Sequence, residues 1–250
     1  MTEITACVII IGNEILSGRT QDQNLSWIAQ RLSAMGIRLA EARVVRDIDA
    51  EIIETVNACR RKYTYVFTTG GIGPTHDDIT AASIAKAFGV SVARNSEAVQ
   101  RLAQYYGNQP LTDARLRMAN VPEGAALIDN PASGAPGFRL ENVYVMAGVP
   151  HIMQAMFDGF RHTLVQGPPI LSKGVSCSLK ESAIAVRLEA IQKDFPDLDV
   201  GSYPFYRDGH IGTTLVVRGQ DPAAVEAAAV AVEQMIRDLG DTPVREQTHG

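Results

Sequence analysis

Residues 67–83 read FTTGGIGPTHDDITAAS, and they join a short apolar run to a run with helical spacing. The joint holds Gly70, Gly71 and Gly73, a proline, His76 and the pair Asp77–Asp78. A chain that passes from a buried strand through such a loop into a helix is building a β–loop–α unit. In open α/β sheets, ligands bind beyond the carboxyl ends of the strands. The loop itself admits three readings: a tight turn, a metal site, or a cradle for phosphate.

The surrounding sequence repeats that unit. Residues 4–11 are almost continuously apolar, as a strand buried on both faces should be. A polar loop, GNEILSGRTQDQN, follows. Leu25, Ile28, Ala29, Leu32 and Met35 recur at helical spacing, with Gly36 placed to end the helix. Residues 37–45 read as a second strand. Asp49 reads as the N-cap of a helix that turns Ile52, Ile53 and Val56 inward. YVFTT (65–69) is the third strand, and Thr80 reads as the N-cap of a helix running to Phe88 and ending at Gly89. Further helices are expected over 95–106 and 112–120. A loop at 129–138 leads into a strand within NVYVMAG and a helix after Pro150. Strands alternating with helices predict an α/β domain with a mainly parallel sheet and helices on both faces.

The composition changes at VQGPPILSKG (165–174), which reads as a linker. Beyond it come a strand (GVSCSLK), a helix with Ile184, Leu188 and Ile191 inward, two strands bracketing GSYPFYRDGH, and an Ala-rich helix over about 221–239. The expected organisation is a first domain over 1–168, a small α+β domain over 169–240, and a loose tail over 241–250. No internal repeat is present.

The chain has 250 residues and a net charge of −5, which argues against a broad nucleic-acid surface. Its three cysteines, Cys7, Cys59 and Cys177, are widely spaced and suggest neither a disulfide framework nor a zinc site. The first residues lack the basic flank of a signal peptide. No apolar run approaches the ~18 residues of a membrane span, so a cytoplasmic protein is expected. The GHIG segment (209–212) matches the GxxG of RNA-binding modules, but it falls between expected strands and lacks basic neighbours on both sides. Tyr203, Phe205 and Tyr206 could form an aromatic surface or pack in a hairpin.

Glycines let backbone N–H groups approach an anion, and the following helix N-terminus adds partial positive charge. Gly70, Gly71, Gly73 and Thr75 therefore suit phosphate, although the loop is neither a P-loop nor a GxGxxG fingerprint. Asp77 and Asp78 are adjacent, so their side chains point apart. One faces a ligand and the other faces outward or supports the helix start. Carboxylate oxygens suit Mg²⁺ bridging to phosphates. His76 could donate to phosphate, act as an acid, or do neither. Two other strand ends bring polar loops to the same rim: Gly12–Asn13–Glu14, and Asp47 in VVRDIDA. A fourth loop offers Asn130, Ser133 and Gly134, with a plain Pro/Gly turn as the alternative.

The segment TTGGIGPTHDDIT resembles the molybdopterin-binding domain of MoaB/Mog-type proteins. It is most similar to the N-terminal part of the CinA-like branch and to the corresponding domain of eukaryotic FAD synthases. IGNEILSGRTQDQN, VVRDIDAEI, SGAPGF, MAGVPHIM and GSYP carry the resemblance in the expected order. It implies a three-layer α/β/α domain followed by a small KH-like α+β domain, in a homo-oligomer. It also implies that Asp78 and Asp47 are the catalytic, metal-binding residues. Gly12, Asn13, Glu14, Gly70, Gly71, Gly73, Thr75, Asp77, Asn130, Ser133 and Gly134 would then hold the nucleotide.

The activity implied is divalent-metal-dependent hydrolysis of an ADP-ribose- or FAD-like pyrophosphate, with Mg²⁺, Mn²⁺ or Co²⁺ and K⁺ as an accompanying ion. The alternative is binding or adenylylation of molybdopterin. The sequence departs from the related pattern at Asn13, where an aspartate is usual, and at Ile152 after His151, where a glutamate is usual. These residues include no deamidase domain of the kind full-length CinA carries, so that activity is not expected of them.

Overall fold

A computed structural model describes residues 3–207 and 209–246. It divides into two compact units, Met1–Leu32 with Ile37–Gln166, and Ser33–Gly36 with Gly167–Gly250.

The first unit is built on a six-stranded sheet. Its strands are β1 (Thr5–Ile11), β2 (Arg38–Val45), β3 (Tyr65–Thr69), β6 (Ala126–Ile128), β7 (Gly137–Leu140) and β8 (Val143–Met146), in the order β2-β1-β3-β8-β7-β6. The first four strands in that order run parallel, β7 runs against β8, and β6 pairs antiparallel with β7 and so points the same way as the first four. A small separate ribbon pairs β4 (Val92–Arg94) with β5 (Asn120–Pro122). The sheet is mainly parallel, as its near-continuous apolar strands require.

Side chains alternate across the sheet, so its two faces carry different cores. On one face Cys7, Ile9 and Ile11 pack against Ile52, Val56 and Cys59 of α3 (Asp49–Lys62) and Ile84 of α4 (Thr80–Phe88). Cys7 and Cys59 are free thiols, with their sulfurs 3.4 Å apart. On the other face Phe67, in register with Val8, meets an aromatic group. Phe67 lies 5.6 Å from Phe157 of α7 (Pro150–Phe160), and Trp27 of α2 (Asn24–Ala34) meets Phe157 edge-on at 5.5 Å. Helices thus cover both faces, giving the three α/β/α layers.

Local details differ from expectation where tertiary contacts take over. GNEIL is not loop but a one-turn helix, α1 (Asn13–Leu16). Asp49 is the first residue of α3 rather than its N-cap, which is Ile48. Its carboxylate accepts instead from Ser83 Oγ (2.8 Å) and Lys86 Nζ (2.6 Å), joining α3 to α4. Lys86 first, then Ser83, hold the Asp49 carboxyl below its ordinary range. Thr80 likewise opens α4 rather than capping it, and its buried hydroxyl donates to Gly70 O at 3.1 Å.

After α5 (Ser96–Tyr106), the helix expected over 112–120 is only α6 (Asp113–Arg117), capped by Thr112. Asn120–Pro122 is drawn off it by pairing with β4. The expected 129–138 loop already enters β7 at Gly137, where an added Cβ would lie 2.3 Å from Val145 O.

The second unit is a four-stranded antiparallel sheet with two helices. Its elements are β9 (Leu171–Cys177), α8 (Glu181–Asp194), β10 (Asp199–Arg207), β11 (His210–Gly219), α9 (Pro222–Asp238) and β12 (Val244–Arg245), with sheet order β10-β11-β9-β12. The succession β-α-β-β-α-β is that of a split β-α-β layout. Val175, Leu215 and Val217 of the sheet meet Ile184 and Ile191 of α8 and Val225, Val232 and Ile236 of α9. Asp221 Oδ1 accepts from Ala223 N (2.9 Å) and Pro222 takes the first helical position, so α9 starts where its sequence says it should.

β9 begins inside the expected linker. Val244–Arg245 in the expected loose tail pairs with β9, while residues 247–250 of that tail lie outside the described residues. Gly209 turns between β10 and β11, so the GHIG segment belongs to a hairpin. Tyr203 and Tyr206 are exposed rather than packed in the core. Among the described residues, no helix is long and apolar enough to cross a membrane.

Candidate functional site at the carboxyl ends of the parallel strands

The order β2-β1-β3-β8 sets four parallel strand ends side by side. They deliver Asp47, then Gly12–Asn13–Glu14, then the 70–78 loop, then Gly148–Pro150.

The loop after β3 is stitched to its neighbours. Gly70 N–H donates to Met146 O of β8 at 3.1 Å. Gly70 has φ +102°, and a Cβ there would lie 2.1 Å from Ile11 O of β1. Gly71 has φ +68°, and a Cβ there would lie 2.1 Å from Thr80 Oγ1. Both glycines are thus demanded twice, by backbone conformation and by close approach.

Further along the loop, the Asp78 carboxylate folds over Gly73. Its Oδ2 accepts from Thr75 N–H (2.8 Å) and Thr75 Oγ1 (2.5 Å). Asp77 and His76 face outward, with side chains 63% and 94% exposed. The Thr75 hydroxyl, then Asp77's own amide and His76, keep the Asp77 carboxyl below its ordinary range. That hydroxyl has one proton, and the 2.5 Å contact gives it to Asp78, so Asp77's share is the weaker one.

The second wall joins β1 to β2. Gly12 N–H donates to Val45 O (3.1 Å), extending the ladder by one residue, and Asn13 N–H then donates to Asp47 Oδ2 (2.9 Å). The Glu14 carboxylate lies over Gly12, where a Cβ would meet it at 2.5 Å. Beneath Glu14 is a recess of about 60 Å³, also lined by Thr20, Asp22, Asn24, Thr69 and Gly148. Asn24 donates to Gly148 O at 2.8 Å. Asn24 Oδ1 and Thr69 Oγ1 are buried without a protein partner. Neither residue stood out in the sequence, although Asn24 closes the segment TQDQN.

A larger cavity, of about 280 Å³, opens on the other side of the loop. Gly71, Ile72, Gly73 and Asp78 form one edge, and Ala81 and Ala82 of the α4 N-terminus another. That first turn carries no acidic residue. Val92, Arg117, Met118, Asn120, Val121, Pro136 and Phe138 complete the lining. Arg117 and Asn120 had no local signal, because only the α6–β5 turn brings them here.

Asn130, Ser133 and Gly134 line neither of these two cavities. Asn130 donates to Ser133 Oγ (2.6 Å) and Ala135 O (2.7 Å) and accepts from Ala132 N and Ser133 N (both 3.1 Å). An amide has two protons and two lone pairs, and all four are spent inside the loop. Gly134 packs on Tyr105, where a Cβ would meet Tyr105 Cβ at 2.4 Å. These contacts order the loop.

Among the described residues, no three His, Cys, Asp or Glu side chains form a group that could hold a metal ion. Asp47 and Asp78 each commit one carboxylate oxygen to a neighbouring donor and keep the other. Lone carboxylate oxygens fit a Mg²⁺-like ion only when substrate phosphates and water complete its shell, which is the usual Mg²⁺ arrangement. At the two departures, Asn13 and Ile152 add no charge.

A family model described as "Probable molybdopterin binding domain" matches residues 7–166, and one described as "FAD synthase, middle domain" matches residues 169–240. A protein of Metallosphaera sedula is 33% identical over 97% of this chain and 98% of its own length. One of Archaeoglobus fulgidus is 31% identical over 92% of this chain and 97% of its own length. The crystal structure of a CinA protein of unknown function from Thermoplasma acidophilum is 32% identical and superposes with a TM-score of 0.61, covering 65% of this chain and 99% of that one.

Proposed function

Because the chain belongs to the molybdopterin-binding domain family and continues into a segment matching the FAD synthase middle domain, we propose that it hydrolyses the pyrophosphate bond of an ADP-ribose- or FAD-like dinucleotide. The observation that carries this reading is the state of the two aspartates. Asp47 follows β2 and Asp78 closes the loop between β3 and α4, each fixed through one oxygen and free at the other, beside glycines suited to phosphate. The match to a domain of an enzyme that makes FAD supports a dinucleotide ligand.

The residues divide the work as follows. Backbone amides of Gly71, Ile72 and Gly73 and the α4 N-terminus hold phosphate oxygens. The Asn13 side chain and Thr75 position the substrate. The free oxygens of Asp78 and Asp47 would hold a cation beside the phosphates, and they orient a water for in-line attack. The chemistry a divalent cation (Mg²⁺, Mn²⁺ or Co²⁺) would supply there is neutralisation of developing charge and a more acidic water. The water oxygen bonds to one phosphorus while the bridging P–O bond breaks, giving AMP and a second phosphomonoester. The expectations of a cytoplasmic homo-oligomer with K⁺ as an accompanying ion stand with this reading.

The test is release of AMP from ADP-ribose and FAD with each cation, and absence of turnover by folded protein overturns the proposal. A second reading, molybdopterin binding, is supported by the family match over residues 7–166. Tight pterin binding without hydrolysis of either dinucleotide would favour it.

A further inference from the structure

Of the arginines near the larger cavity, Arg117 differs from its neighbours. Arg115, two residues before it, donates to Pro110 O (2.8 Å) and Gln109 Oε1 (2.7 Å) and stacks on Tyr106 at 3.7 Å. Arg101 pairs with Glu97 and Asp129, and Arg94 donates to Asn120. Arg117 lines the cavity and has no hydrogen bond, ion pair or ring contact among the described residues. The same cavity is lined by the Gly71 and Gly73 backbone, Asp78, Asn120 and the α4 N-terminus, with apolar walls from Ile72, Met118 and Phe138. A guanidinium offers five donors in a planar fork that matches a phosphate edge. The apolar walls suit a flat heteroaromatic ring.

The volume, about 280 Å³, is at the small end for a ligand pocket and fits one half of a dinucleotide rather than the whole. Resting on the dinucleotide reading above, we infer that this cavity is the subsite for one nucleoside-monophosphate half. In it Arg117 binds that half's phosphate and selects ligands that carry ring and phosphate together. The other half then lies outside the cavity, across the strand ends.

Equilibrium titration of the full chain with AMP, adenosine and ADP-ribose tests this without requiring turnover, using the wild type, Arg117→Gln, Arg117→Lys and Asp78→Asn. Arg117 is exposed and makes no contact that folding needs, so Arg117→Gln should melt with the wild type. It should weaken AMP and ADP-ribose by about ten- to a hundredfold, the loss expected for a charged hydrogen bond, and leave adenosine unchanged. Arg117→Lys should recover part of the affinity.

If Arg117→Gln binds AMP as the wild type does, the inference falls alone. If the wild type binds none of the three ligands, the dinucleotide reading falls and takes the inference with it. If AMP binding depends on Arg117 and no dinucleotide is hydrolysed, the hydrolytic reading falls and the inference stands.

Discussion

The backbone amide of Asn13 donates to Asp47 Oδ2 at 2.9 Å across 34 residues of sequence. This bond ties the end of β1 to the end of β2 and fixes the Asp47 carboxylate. The charge and the bond can be separated by mutation. Asp47→Asn keeps an acceptor for the amide, so it should melt close to the wild type while losing most turnover. Asp47→Ala also loses the bond and should be less stable by about 1 kcal/mol. Parallel melts and AMP-release assays check both, and an active Asp47→Asn would remove Asp47 from the chemistry.

The glycine loop makes a prediction about stability. In Gly71→Ala the new methyl would meet Thr80 Oγ1 at 2.1 Å, at a φ of +68°. The substitution should cost about 1–3 kcal/mol. Gly70→Ala should cost at least as much, because its methyl would meet the Ile11 carbonyl, which cannot rotate away. Urea unfolding of both variants measures this, and wild-type midpoints would show that the loop has another conformation.

On β2, Glu41 is held by the Tyr63 hydroxyl first, then by Arg43 and Lys62, which lower its carboxyl to about 2. A folded-state value below the unfolded one means stability that is complete above about pH 4.5 and is lost as pH falls through about 2. The side chain is a quarter exposed, so solvent screening limits the effect to about 1 kcal/mol. Glu41→Gln should therefore be less stable than the wild type at pH 7, and the gap should close between pH 4.5 and 2. A gap that stays constant over that range would contradict this assignment.

What could be read in the sequence follows from where each signal originates. β1 and β3 were legible because both their faces are buried, which leaves a continuous apolar run. The loop was legible because Gly70 and Gly71 occupy conformations that other residues avoid. Asp49 and Thr80 looked like caps because aspartate and threonine favour that position, but distant partners claim their side chains. Asn130 looked available to a ligand, and only the folded loop shows its four hydrogen-bonding positions filled. Arg117 sits on a five-residue helix with no periodic pattern of its own, so its place at the cavity is set entirely by tertiary structure.

Hydrolysis at this site turns on Asp78, whose Oδ2 is held by Thr75 and whose Oδ1 is left for a cation. The most direct measurement is AMP release from ADP-ribose and FAD by wild type and Asp78→Asn, with Mg²⁺, Mn²⁺ or Co²⁺ and with chelator. The wild type should show cation-dependent turnover that chelator abolishes. Turnover should fall by about a hundredfold or more in Asp78→Asn, the scale of losing one group that stabilises transition-state charge, with the fold retained. Equal rates in the two proteins, or no turnover of either dinucleotide by folded wild type, would contradict hydrolysis through Asp78.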